Sequence, residues 1–151
     1  MTLVVGLGQP DRGDDAVGLL VCAALEREAG VRVRALADAS SLPAIWDGED
    51  DVVVVDAVRD PSRTRGSVLV LELRDGVGVP HEGSTHGFDL AAVVSVAAAV
   101  GALPRRLHLV GVVGDRFGLG AAPGSHVRAA VPAAVDAVLT LVAAAPAAGL
   151  R

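Results

Sequence analysis

At 151 residues the chain has room for one domain with a proper core of its own. Hydrophobic residues make up 52% and aromatics only 2%, so Ala, Val and Leu must fill that core, which suits a buried parallel sheet flanked by helices. A net charge of −5 with no basic stripe argues against nucleic acid as a partner, because phosphate neutralisation needs clustered cations.

All 13 basic residues are Arg, and the chain has neither Lys nor Asn. The single cysteine, Cys22, cannot form an internal disulfide and reads as a small core residue. No basic region precedes an apolar stretch at the N-terminus, so no signal peptide and a cytoplasmic setting are expected.

Leu3–Gly6 predicts a short buried strand. It enters a loop, Gly6 to Gly18, that holds four glycines, a proline and three acids. The apolar pattern Val17, Leu20, Val21, Ala24, Leu25 leaves it as a helix, begun or capped by Asp14 or Asp15 and running to about Ala29 before Gly30. Val31–Leu36 alternates and predicts a half-exposed strand towards an edge. A short helix follows around Leu42–Trp46.

Val52-Val53-Val54-Val55 predicts a central strand buried on both faces, with Asp56 at its C-terminal end. Gly66–Leu73 alternates and begins too soon after it for a helical crossover, so this strand is expected to be antiparallel. Arg74–Thr85 reads as loop, Leu90–Val100 as helix and Leu107–Val113 as a second buried strand. Gly114–Gly120 is another Gly-rich loop, and Gly124-Ser125 starts the last helix. Ala129–Ala145 is apolar but interrupted by Pro132 and Asp136. It falls short of the roughly 20 apolar residues of a membrane span, so a terminal helix on the sheet is expected. Residues 143–151 read as a frayed tail of a single domain covering 1–151.

The order βαβαββαβα describes a three-layer α/β/α sandwich around a mixed sheet. Right-handed crossovers put strands one and three side by side, and the chain diverges between them. Asp15 follows strand one and Asp56 ends strand three, so both acids approach the crevice at that switch point. Asp14 reads as the helix cap. His86 opens a helix, whose N-terminus keeps an imidazole neutral and so fit to bind a metal. Two carboxylates and one imidazole suit a divalent transition ion with open positions. His81 is a candidate auxiliary ligand, while His108 reads as a core or edge residue and His126 as helix surface.

Two rival readings fail in detail. A dinucleotide motif G-x-G-x-x-G needs glycine at position 11, which is Asp11. A receiver domain would place its acidic pair at the strand end and use a late lysine, and this chain has no lysine. Covalent catalysis by a Ser-His-Asp or His-Cys set has no supporting context.

At these residues the sequence resembles the maturation endopeptidases of nickel–iron hydrogenases. Val4 to Gly18 is similar to the family's first motif, Val55-Asp56-Ala57 to its second acidic motif and Ser84 to Leu90 to its histidine segment. Leu107 to Val112 resembles its last strand. The likeness runs in order across nearly the whole chain. It implies a phosphorylase/hydrolase-like fold with a five-stranded mixed sheet, order 2-1-3-5-4, and one antiparallel strand. It also implies an endopeptidase that clips a C-terminal extension from the nickel-loaded large-subunit precursor of a hydrogenase. The implied metal contacts are Asp15, Asp56 and His86, towards nickel supplied by the substrate; other divalent ions could substitute. A monomer acting away from membranes is expected.

Three positions depart from the family pattern. Gln9 replaces an Asn, Asp15 stands where many members have Glu, moving the ligand oxygen by about 1.5 Å, and Asp38-Ala39-Ser40-Ser41 lacks a Gly-Gly pair. The acids either complete the coordination of the substrate's metal or serve one of them as general base. The alternative function is a non-catalytic binding protein of the same fold that recognises a metal site or a partner protein.

Overall fold

The computed structural model describes residues 1–79, 81–82 and 90–147. Val52 to Val55, fully buried, form the middle of β3 (Asp51–Arg59). Side chains that alternate across a strand and are all apolar need cover on both faces, and the sheet supplies it. On one side of β3 lies β1 (Thr2–Leu7), parallel, with Gly6 opposite Val55. On the other lies β6 (Arg106–Val113), parallel, with Asp56 opposite Gly111. β2 (Val31–Leu36) is the edge beyond β1, and its arginines Arg32 and Arg34 are exposed, which discourages pairing with another chain. β4 (Val68–Glu72) runs antiparallel outside β6.

The path β2-β1-β3-β6-β4 is the expected order, with β6 as the fifth strand foreseen and β4 as its antiparallel neighbour. One addition falls within the stretch expected to be loop: β5 (His81–Glu82) pairs antiparallel with Val58 and Arg59. Pairing between β1 and β3 stops at Val55. Four further residues of β3 therefore run on past β1, and β5 pairs with the last two of them.

Helices cover both faces. α1 (Val17–Leu25) and α4 (Ser125–Ala143) lie over Val53, Val55, Val110 and Val112. α2 (Leu42–Trp46) and α3 (Leu90–Ala99) lie over Val52, Val54, Leu107 and Leu109. α1 is shorter than its sequence pattern predicts. It stops at Leu25, and Glu28 N–H closes a turn on the Leu25 carbonyl before Gly30 leads into β2. The apolar stretch from Ala129 to Ala145 was expected to fall short of a membrane span, yet by length and composition α4 as a whole, Ser125–Ala143, passes as a helix able to cross one. Its residues Val127, Ala130, Ala134 and Val138 are nonetheless buried against α1 and the sheet, where a terminal helix was expected. Residues 148–151 of the expected tail lie outside the described ones.

Leu25 is fully buried in the α1–α4 layer, and the only tryptophan, Trp46, is buried in the opposite layer. Leu25→Ala is expected to cost about 2–5 kcal/mol through lost transfer energy and the cavity left behind. Urea unfolding followed by Trp46 fluorescence and by far-ultraviolet circular dichroism measures that loss. Coincident transitions show that both layers melt together.

Candidate functional site

The loop between β1 and α1 turns back on itself at once. Gly8 has φ +143°, and a β-carbon there would lie 1.9 Å from the Asp15 carbonyl oxygen. Only glycine fits. That close approach places the Asp15 carboxyl carbon 3.7 Å from the same imagined β-carbon, beside the end of β1. Gln9 N–H donates to Asp15 Oδ2 at 3.0 Å. Gln9, the residue that departs from the pattern the sequence resembles, thus contacts the acid through its backbone, which any residue but proline supplies. Asp15 is 2% exposed; burial pushes its carboxyl above the usual range, while the Gln9 N–H and the Arg12 guanidinium pull it back.

Asp56 is also 2% exposed. It lies one residue past the last β1–β3 pair, level with Leu7; β3 itself runs on to Arg59, so Asp56 does not end its strand as expected but stands where β1 ends and the loop carrying Asp15 begins. The Asp56 side chain follows Val52 and Val54 in the alternation and so belongs to the α2–α3 face. Among the described residues no group of three His, Cys, Asp or Glu side chains gathers as a metal site. The third residue of the expected set, His86, lies outside the described residues, between β5 and α3.

Asp14 does something the sequence did not suggest. It sits in a 3-10 turn, Gly13–Ala16, and its side chain caps neither that turn nor α1. It crosses instead to the loop after β6. Oδ2 accepts from Asp115 N–H at 2.9 Å and Arg116 N–H at 3.0 Å, and Oδ1 accepts from Gly124 N–H at 2.7 Å. Burial would raise the Asp14 carboxyl, but the backbone donors Arg116, Gly124 and Asp115, with the Arg116 charge, hold it below the usual range. Gly114 makes room for the clasp, since a β-carbon there would meet Asp14 Cβ at 2.7 Å. Backbone bonds reinforce it: Asp14 N–H to Arg116 O at 2.7 Å, Gly13 N–H to Ala121 O at 2.9 Å and Gly120 N–H to Asp11 O at 2.6 Å. No local pattern could reveal these partners, which lie about a hundred residues away along the chain.

His81 lies in β5 opposite Arg59, at the same sheet edge as Asp56. His108 sits half-buried on β6 opposite Val53 and Glu72, and burial followed by the Arg106 charge depresses its pKa. His126 is exposed on α4, as expected. Cys22 is buried on α1, its thiol pushed up to about 11 chiefly by burial, so it offers no thiolate nucleophile at neutral pH. Asp38 accepts from the Ser40 N–H and hydroxyl, closing a local turn where the Gly-Gly pair is missing.

A scan against protein-family models finds no match. Among curated proteins, the chain is 30% identical to Protein FrxA of Pyrococcus furiosus over 137 residues, covering 86% of this chain and 96% of FrxA. Among solved structures, it superposes on the hydrogenase maturating endopeptidase HybD of E. coli with a TM-score of 0.79 at 24% identity. That match spans 95% of this chain and 92% of HybD. A hydrogenase 2 maturation peptidase from a Thaumarchaeota archaeon matches at 25% identity with a TM-score of 0.63, over 92% of this chain and 95% of that one. The fold expected from the sequence resemblance is thereby borne out.

Asp14→Asn keeps the shape but removes the charge and turns one acceptor into a donor facing N–H groups. It is expected to lower stability by about 2 kcal/mol or more, the scale of hydrogen bonds to a charged group. Because the folded-state pKa of Asp14 is depressed, its contribution is present above the unfolded value near 3.8 and is lost as pH falls through the lower folded value. Urea titrations across that acid range should show a flatter decline for the variant than for the unsubstituted chain. Identical acid limbs would show that the clasp contributes nothing.

Proposed function

This chain belongs to the family of Protein FrxA from Pyrococcus furiosus and has the fold of the nickel–iron hydrogenase maturation endopeptidases, and on that premise we propose that it is itself such an endopeptidase. Its substrate is the nickel-loaded large-subunit precursor of a nickel–iron hydrogenase, from which it removes a C-terminal extension. The reading adds that it works in the cytoplasm as a soluble monomer, apart from membranes and nucleic acid. The observation that carries it is the pair of buried carboxylates, Asp15 in the loop that follows β1 and Asp56 on β3 level with the end of β1, beside the crevice where open α/β folds bind ligands.

Nickel enters as part of the substrate. Asp15, Asp56 and His86 are the residues assigned to contact it, an oxygen, oxygen and nitrogen set suited to a divalent transition ion. Cys22, buried and with its thiol pushed up to about 11, is unsuited as a nucleophile, so a water attacks the scissile carbonyl. The two acids serve that water in one of two ways. They either hold the substrate's metal so that it polarises the water and the scissile carbonyl, or one of them takes the water's proton directly. The rigid loop around Asp15 favours both, since positioning to within a fraction of an ångström is itself worth much of the rate.

Incubation of the purified protein with the nickel-loaded precursor should release one C-terminal peptide, seen as a mass loss by mass spectrometry. Asp56→Asn is expected to abolish that release while leaving the circular dichroism spectrum unchanged. Cleavage by this variant at the normal rate would sink both roles for the acid.

A further inference from the structure

Three arginines within seven residues line a cleft of about 350 Å³ beside the candidate site, at the C-terminal ends of β3 and β6. Two of them are already neutralised. Arg63 Nε lies 3.1 Å from Asp60 Oδ2, and Arg65 lies 2.7 Å from Asp115 Oδ2. Arg59 makes no ion pair among the described residues. Its guanidinium instead stacks over the Phe117 ring at 5.0 Å from the centroid. Among the described residues the cleft therefore carries one positive charge without an acidic partner, in a chain whose net charge is −5.

Stacking occupies a face of the guanidinium and leaves its edge, the fork of N–H donors that matches a carboxylate in two parallel bonds. Phe117 fixes where that fork stands, and Phe117 is fixed in turn, because Asp14 clasps the loop that carries it. Arg59 is three residues beyond Asp56 on the same strand, roughly 10 Å at 3.3 Å per residue. It follows Val55 and Ala57 on the α1–α4 face, so a peptide leaving Asp56 crosses the rim of the sheet to reach it. About three extended residues cover the distance along the strand, and the crossing of the rim adds to it.

We propose that this cleft is the docking subsite for a carboxylate of the substrate's C-terminal extension, with Arg59 as the receiving cation three or more residues past the scissile bond. The proposal rests on the endopeptidase reading. The carboxylate is an acidic side chain early in the extension or, for a short extension, the chain terminus.

Two measurements test it side by side. In the first, a fluorescein-labelled synthetic peptide of the precursor's extension is titrated with the protein and followed by fluorescence anisotropy. The peptide is made as free acid, as terminal amide and with its acidic side chains neutralised. In the second, the nickel-loaded precursor is processed under steady-state conditions. Arg59→Ala is expected to weaken peptide binding and raise KM about tenfold, the scale of one lost charge-assisted hydrogen bond, with kcat unchanged within about twofold. Arg59→Glu should lose acidic-peptide binding and recover it for a peptide carrying Arg in place of the acid. The amide arm assigns the terminus, and the neutralised arm assigns a side chain. Equal affinity of the unsubstituted protein and Arg59→Ala for the acidic peptide, or no peptide binding at all, overturns the subsite. Peptide binding that depends on Arg59 without any processing of the precursor keeps the subsite and removes the endopeptidase reading.

Discussion

Asp14 brings together two stretches of chain about a hundred residues apart. Its carboxylate is 1% exposed, and an acid so placed would normally be driven towards its neutral form. Three backbone N–H groups from the far loop reverse that balance and keep it ionised. The reversal works in both directions. The charge is stabilised by the donors, and the donors are satisfied by the charge. The loop after β1 and the loop after β6 are thereby one unit, and both walls of the crevice at the sheet's edge depend on that unit.

The neighbouring acid shows how few bonds separate the two outcomes. Asp14 and Asp15 are adjacent in sequence and almost equally buried, yet their carboxyls shift in opposite directions. Asp15 accepts one backbone N–H where Asp14 accepts three. An acid held by three donors is committed to structure. One held by a single donor, and costly to keep charged, retains capacity for a further cationic or metal partner. The tight turn at Gly8 aims the second acid at the strand edge while the first faces the opposite wall.

Much of this was legible in the sequence, and the parts that were not share a cause. Val52 to Val55 marked the central strand because apolar side chains on both faces leave no exposed alternative. The short gap before Val68 marked β4 as antiparallel because a parallel crossover does not fit in it. Asp56 was legible as an acid on the central strand, but the continuation of β3 past it to Arg59, through pairing with β6 and β5, was not. The partners of Asp14, the stacking of Arg59 on Phe117 and the pairing of His81–Glu82 with the end of β3 were not legible. Each joins residues whose proximity is created only by the completed sheet. The early end of α1 belongs with them, since its sequence pattern continues beyond Leu25 and the chain's need to re-enter the sheet at β2 overrides it.

Cys22 sits where α1 meets the first two strands. A β-carbon on Gly6 would come within 2.6 Å of its sulfur, and its thiol faces the Arg34 carbonyl. The sulfur has no room for an added oxygen or an alkyl group while the layer is closed. Reagent therefore reaches the single thiol only when α1 lifts from β1 and β2, the same helix that follows the Asp14–Asp15 turn. Thiol alkylation thus reports on opening of the layer that supports the acidic loop, with no engineered label required.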